Sequence, residues 1–262
     1  MIGPSSLLPP IKGRRALVTG AGNGLGRVIA HALVDVGAEV VALGRTLSTL
    51  EQTRETCTQP EKIRIVVADV ADEDSLAAAK LGTGDLAVSI LINNAGIPGP
   101  VSSIVDLSVQ DWDEVFNVNV RGAFLVIRSV LPEMLEQGFG QIINIASVTG
   151  KRPLVRRTPY AASKMALIGL TRTLAAEVGP KGIIVNSLSP GPVRGPRMSR
   201  NFRLEAEATG ISIEEAEHAF TGRAALGRLV EDVEVATAAL AMLQMPGLCA
   251  ADIDLSAGMI AP

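Results

Sequence analysis

The sequence predicts an α/β fold, a single domain built on a parallel sheet with helices on both faces, and three observations lead there. Short β-branched or apolar runs alternate along the chain with stretches of helical periodicity. A glycine-rich turn joins the first such run to the first helical stretch. The composition, 47% hydrophobic and 19% charged over 262 residues, supplies one large core and apolar surface to spare for contacts between subunits.

Taken in order, residues 1–12 hold three prolines and lack the charged start and apolar stretch of an export signal, so they read as a loose N-terminal arm. Strand-like runs follow at 16–18, 39–43, 63–67, 88–92, 141–145 and 183–188. Helical character fills the gaps at 25–36, 76–81, 112–135 and 161–178, and returns at 233–242. Residues 196–228 break this rhythm. They are polar and helical, with Glu205, Glu207, Glu214, Glu215 and Glu217 and no strand-like run, and read as a substrate lid inserted in the one domain.

After the first strand comes Thr19-Gly20-Ala21-Gly22-Asn23-Gly24-Leu25-Gly26, running directly into a helix. Glycines let the backbone approach a pyrophosphate, whose charge is met by free N–H groups and the positive end of the helix dipole. Strand, turn and helix together point to a dinucleotide held by Gly20, Asn23, Gly24, Leu25 and Gly26. The second strand ends in Leu43-Gly44-Arg45, without the carboxylate that would accept from the adenosine ribose of NAD. Arg45 stands there instead, and its forked donors suit a 2′-phosphate, which favours NADP(H) over NAD(H).

The chain's single tyrosine opens Tyr160-Ala161-Ala162-Ser163-Lys164. Residues four apart share a helix face, and an ammonium beside a phenol favours the phenolate, so the pair suits proton exchange with a substrate. With the glycine turn, Asn93-Asn94-Ala95-Gly96 after the fourth strand, Ser147 after the fifth, and Pro190-Gly191 after the sixth, the chain resembles the short-chain dehydrogenase/reductase (SDR) family over nearly its whole length.

That resemblance implies a Rossmann-type doubly wound sheet of about seven parallel strands, an NAD(P)-dependent activity on a secondary alcohol or ketone, and commonly a homotetramer, with a homodimer the smaller alternative. It places the catalytic set on Asn119, Ser147, Tyr160 and Lys164. Tyr160 would pass the proton, Lys164 would bind the nicotinamide ribose, Ser147 would hold the substrate oxygen, and Asn119 would hold a water linking Lys164 to solvent. It also implies Asp69 and Val70 at the adenine, Asn93 as a brace of the sheet, Asn94, Ala95 and Gly96 along the ribose, and Pro190, Gly191 and Val193 at the nicotinamide. Two departures stand out. Gly195 occupies the place of a usual threonine, and Leu255-Ser256-Ala257-Gly258 the place of a common double glycine.

Both segments bordering the expected substrate space are basic, with Lys151, Arg152, Arg156 and Arg157 in one and Arg194, Arg197 and Arg200 in the other. Ser147 with Arg152, Arg157, Arg194 and Arg197 therefore forms the candidate substrate set, suited to a carboxylate, sulfonate, phosphate or sugar-like group. A 3-oxoacyl thioester is the alternative within the same family. A coenzyme sensor without catalysis is the alternative outside it, and the intact Tyr160–Lys164 set argues against that. The net charge of -3 gives no general attraction for nucleic acid. No run of ~18 apolar residues suggests a membrane span. No His/Cys spacing suggests a metal. Cys57 and Cys249, too few for a disulfide framework, read as buried thiols of a cytoplasmic protein.

Overall fold

The structure, a computed structural model, describes residues 9–259. Among these, seven strands form one parallel sheet: β1 (Arg15–Thr19), β2 (Glu39–Gly44), β3 (Ile63–Val67), β4 (Ile90–Asn93), β5 (Gly140–Ile145), β6 (Ile183–Pro190) and β7 (Asp252–Leu255). Their order across the sheet is β3-β2-β1-β4-β5-β6-β7, and every neighbouring pair is parallel. Strand side chains alternate between faces, and here both faces are dry. Ala16 and Val18 of β1 join one core cluster while Leu17 joins the other, and Ile90, Leu91 and Ile92 of β4 divide the same way. This double burial is why the strands read as continuous apolar runs.

The helices are α1 (Gly24–Asp35), α2 (Leu47–Glu55), α3 (Glu73–Ala79), α4 (Val109–Phe116), α5 (Gly122–Gln137), α6 (Thr158–Val178), α7 (Pro196–Thr209), α8 (Ile213–Thr221) and α9 (Asp232–Leu243). α1 and α9 cover one face with Ile29, Leu33, Val235 and Met242; α5 and α6 cover the other with Val126, Met134, Leu174 and Val178. The doubly wound architecture expected from the sequence is therefore present in one domain.

Several boundaries differ from the sequence reading, each for a local reason. Helix α3 begins at Glu73, earlier than residue 76, because the Asp72 carboxylate accepts from the N–H groups of Asp74 and Ser75. It stops short of residue 81 because Lys80 turns left-handed, at φ 50. The span 112–135 is three pieces: α4, a π-helical turn at Asn117–Arg121, and α5. Helix α2 was not expected, since apart from Leu47 its outward residues are polar and only Leu50 and Thr53 are buried. Strand β7 was hidden by Asp252 and Asp254, a polar pattern in a strand whose pairing with β6 runs from Ser187–Asp252 to Pro190–Leu255.

The arm at residues 1–12 lies outside the described residues up to residue 8, and Ile11 is already part of the core. Cys57 is buried as expected, but Cys249 is exposed, because it follows Leu248, which takes the inward position in the loop before β7. The helical run Val109–Gln137 is long and apolar enough to cross a membrane by length and composition. Its inner face, with Leu125, Val126, Val130 and Met134, packs instead into the core.

Candidate active site

A cavity of about 690 Å³ opens at the carboxyl ends of the strands, where the sheet order reverses between β1 and β4. Gly20, Asn23, Gly24 and Leu25 line one end. Arg45 follows β2 and Asp69 and Val70 follow β3 along the same wall. Asn94, Ala95 and Gly96 line the middle, and Pro190, Gly191 and Val193 the far end. Gly26 is absent from the lining and works by proximity: a Cβ there would stand 2.2 Å from the Gly20 carbonyl oxygen.

The glycine turn has its carbonyls tied back. Gly20 O accepts weakly from Asn94 Nδ2 (3.4 Å), Ala21 O from Thr53 Oγ1 (2.9 Å), and Gly22 O from Arg27 Nη2. With the acceptors engaged, the first N–H groups of α1, which have no helical partners, are the polar groups left for an anion. The same atoms close the crevice between β1 and β4. Thr19 Oγ1 accepts from the N–H groups of Asn94 and Ala95, both at 3.0 Å, and Asn94 Nδ2 donates to Thr19 O, also at 3.0 Å. Asn94 thus braces the turn. Asn93 braces the sheet as expected, donating to Asn144 Oδ1 at 2.9 Å, and Asn144 continues to Thr171. Thr19 opens the glycine motif, whereas Thr53 and Arg27 carry no motif of their own and only their hydrogen bonds reveal their part.

Arg45 is 64% exposed and its guanidinium stands 3.9 Å from the Asp69 carboxylate. Asp69 in turn accepts from Ala71 N–H, which fixes it as a turn-former beside the cavity. Gly195 lines the cavity, and a Cβ there would meet no atom within 4 Å, so the space that the expected threonine side chain would take is open. Ala257 and Gly258 both adopt left-handed backbone, at φ 54 and 78, which explains glycine's use at such positions and leaves Ala257 as the strained one.

Four side chains converge near the nicotinamide end. Lys164 is buried on α6, its Nζ donates to Ile145 O at 2.8 Å, and it lies 5.7 Å from the centre of the Tyr160 ring. Ser147, just after β5, accepts from Thr149 N–H, so its own proton is left to donate. Tyr160, Lys164 and Ser147 all line the cavity. Asn119 does not. It is fully buried in the π-helical turn, its Oδ1 accepts from Ile97 N–H at 2.7 Å, and its Nδ2 donates to Ile97 O and Ser163 Oγ, both at 3.0 Å. Both amide hydrogens are committed, so the side chain locks residues 96–97 against α6 and the role of holding a water is not one its amide donors can fill. Ser163 passes the constraint on, donating to Tyr160 O at 2.8 Å.

A second cavity of about 560 Å³ adjoins the first, and Ser147 and Tyr160 line both, with Pro98 and Gly191. Helices α7 and α8 cover it, packed on each other through Phe202 and Phe220, whose ring centres are 5.6 Å apart. Of the substrate candidates, Arg152 and Arg157 line this cavity. Arg194 does not; it lines the first cavity and is held by Glu217 (2.8 Å) and Glu231 (2.9 Å). The Arg197 side chain is outside the described part of the structure. Glu205 on α7 and Arg223 just after α8, neither of them among the substrate candidates, also line this cavity.

Lys151 also points elsewhere. Its ammonium donates to Asp252 (2.6 Å) and to Asp254, and Asp252 accepts in addition from Ser187 and Ser189. Partial burial acts to lower the Lys151 pKa, but those two carboxylates more than offset it and hold it above its ordinary value. A raised pKa means the link is fully formed below the ordinary lysine value and weakens only as pH climbs beyond it. It ties the turn after Ser147 to β7, while Gly150 on the other side abuts the backbone of Lys164 and Met165. Lys151→Met is expected to cost about 1–2 kcal/mol, discounted for its partial exposure, and to lower the melting temperature by roughly 2–8 °C. Calorimetry checks this; Lys151→Arg should recover most of the loss.

Among the described residues no group of His, Cys, Asp or Glu could hold a metal. A family model described as short chain dehydrogenase matches residues 14–207. The chain is 41% identical over 189 residues to 2-(R)-hydroxypropyl-CoM dehydrogenase of Xanthobacter autotrophicus, covering 70% of this chain and 76% of that protein. It is 32% identical over 234 residues to a 3-oxoacyl-[acyl-carrier-protein] reductase of Aquifex aeolicus, covering 88% and 90%. Among solved structures, actinorhodin polyketide ketoreductase with NADPH superposes with a TM-score of 0.84 at 33% identity, over 94% of this chain and 97% of that one. The glycine turn, the serine and the tyrosine–lysine helix thus sit in the frame these relatives share: the chain belongs to the short-chain dehydrogenase family and is an NAD(P)-dependent oxidoreductase acting on CH–OH groups.

Proposed function

We propose that the chain interconverts a secondary alcohol and its ketone with NADP(H) as the preferred coenzyme. One observation carries this: Ser147 and Tyr160 stand on the wall shared by a dinucleotide-sized cavity and a second, largely apolar one. The glycine turn fits the coenzyme, because its carbonyls are tied back and Gly26, where a Cβ would strike Gly20 O, lets α1 start close against the turn. Bound there, the nicotinamide supplies or accepts the hydride. Ser147 keeps its proton and donates a hydrogen bond to the substrate oxygen, stabilising the charge that develops on it. Tyr160 gives its phenolic proton to that oxygen in reduction and takes it back in oxidation. Lys164 brings a buried positive charge to the same corner, and Asn119 fixes the backbone around it. Gly96 keeps this corner open, since a Cβ would lie 3.1 Å from Asn119 Oδ1 and 3.5 Å from Lys164 Nζ.

Arg45 supports NADP(H): exposed beside the cavity, it offers a fork to a 2′-phosphate, and Asp69 only partly balances its charge. Solvent limits the contribution. Arg45→Ala is expected to weaken NADPH binding by ~10-fold relative to NADH, from the lost charge-assisted hydrogen bonds. Isothermal titration with both coenzymes checks it, and an equal loss for the two would remove the assignment. Reduction of a ketone panel followed by NADPH absorbance tests the activity, with a 3-oxoacyl thioester included because one relative is named for that substrate. The proposal extends to a lid formed by residues 196–228 and to self-association as a homotetramer or homodimer. Phe124 on α5 and Met165 on α6 are each 45% exposed, apolar surface suited to a second copy. Free Cys57 and Cys249 suit a reducing cytoplasm.

A further inference from the structure

The cations around the two cavities fall into two groups. Lys151, Arg194 and Arg228 are each held by carboxylates: Asp252 and Asp254, Glu217 and Glu231, and Glu234 respectively. None of these three lines the second cavity. Arg152 and Arg223 do line it, and among the described residues neither has a carboxylate within ion-pair distance. The polar contact of Arg152 is the carbonyl of Met259 at a long 3.5 Å. The guanidinium of Arg223 lies 5.7 Å from the centre of the Phe220 ring. Among the described residues Glu205 is the one acid on the same lining, and it forms no ion pair with either arginine.

Much of the remaining wall is apolar, including Val148, Leu154, Met198, Phe202 and Phe220. Arg152 is half-buried beside this wall, where its guanidinium keeps an unmet demand for an acceptor, while Arg223 stands exposed at the rim and solvent covers part of the same demand. A neutral ketone would leave it unmet; a carboxylate, sulfonate or phosphate would meet it with forked, charge-assisted hydrogen bonds. The two arginines also come from different parts of the molecule. Arg152 belongs to the segment directly after Ser147, anchored to β7 by its neighbour Lys151. Arg223 follows α8, in the lid.

We propose that the second cavity selects a ketone or secondary alcohol that carries an anionic group on a short apolar stem, with Arg152 and Arg223 as the specificity-determining residues. The inference rests on the oxidoreductase reading above and names its substrate class. An anion between the two arginines bridges the fixed loop and the lid, so binding of the charged end draws the lid over the carbonyl at Ser147 and Tyr160. Arg157 serves differently: it donates to the carbonyls of Gly99 (2.8 Å) and Pro98 (3.3 Å), bracing the segment opposite.

The test compares two matched pairs: levulinate with methyl levulinate, and acetoacetyl-coenzyme A with acetoacetyl-N-acetylcysteamine, which lacks the phosphates. Wild type is expected to favour the charged member of one pair by ~10- to 100-fold in kcat/KM, the size of one or two charge-assisted hydrogen bonds. The pair that shows it tells whether the anion is on the substrate itself or on its carrier. Arg152→Leu and Arg223→Leu should each bring that ratio down by ~10-fold, mostly through KM, while Arg203→Leu, on the lid but off the cavity, should keep it. Melting curves and NADPH affinity establish that the variants are folded. A wild-type ratio near one in both pairs, or a preference unchanged in both variants, overturns the proposal and leaves the oxidoreductase reading standing. No turnover of any ketone, charged or neutral, by a chain that binds NADPH overturns both.

Discussion

Tyr160→Phe is expected to lower kcat by about 10²- to 10⁴-fold, the range associated with losing a positioned proton donor, while NADPH affinity changes little. The change removes one oxygen and nothing else. The ring remains beside Lys164, whose ammonium lies 5.7 Å from its centre, and the helix beneath is held by Ser163, whose hydroxyl donates to Tyr160 O and accepts from the Asn119 amide. The lost hydroxyl belongs to one of the few residues shared by the two cavities, so its absence acts where substrate and coenzyme meet. Single-turnover rates with NADPH and a reducible ketone, beside fluorescence titration of NADPH alone, separate the two effects. A variant that reduces ketone at the wild-type rate would show that another group moves the proton. One that loses NADPH would show that the phenol serves binding.

The sequence made the sheet and the crevice legible because both depend on local pattern. Double burial writes each inner strand as an apolar run, and the glycine turn must lie between strand and helix for its N–H groups to face an anion. The parts that stayed hidden depend on partners distant in the chain. Strand β7 looks polar because Asp252 is satisfied by Ser187, Ser189 and Lys151, residues 63–101 positions away. The basic residues were visible as a group, but which of them face substrate depends on where the carboxylates fall. Glu217 and Glu231 take Arg194, Asp252 and Asp254 take Lys151, and neither pairing follows from spacing. Arg223 was missed for the converse reason: as a lone arginine after an acidic helix it reads as solvated, and only the packing of α8 over α7 brings it to the cavity. Asn119 was recognised as a site residue, and what its spacing did not reveal is that its side-chain amide is spent on Ile97 and Ser163.

Gly26→Ala is expected to weaken NADPH binding by ~10²-fold or more, the equivalent of one or two lost charge-assisted hydrogen bonds, and to cost about 1–3 kcal/mol of stability. The reason is steric. The added Cβ would stand 2.2 Å from Gly20 O, 2.8 Å from Gly20 C and 2.6 Å from Asn94 Nδ2. None of these can step aside cheaply, because Gly20 is the turn itself and Asn94 is fixed to Thr19 O at 3.0 Å. Helix α1 must therefore shift away from the turn, carrying with it the N–H groups that would face the pyrophosphate. Better helix propensity returns at most ~1 kcal/mol. Gly24→Ala supplies the contrast: its Cβ position is empty within 4 Å, but its φ of 49 is left-handed, so its penalty is backbone strain of roughly 1–2 kcal/mol without displacement of the helix. The two variants should thus lose comparable stability but differ in coenzyme affinity, with Gly26→Ala much the weaker binder. Equal NADPH affinities, measured by titration on samples of known melting temperature, would show that close approach of α1 to the turn is not what the glycine at 26 provides.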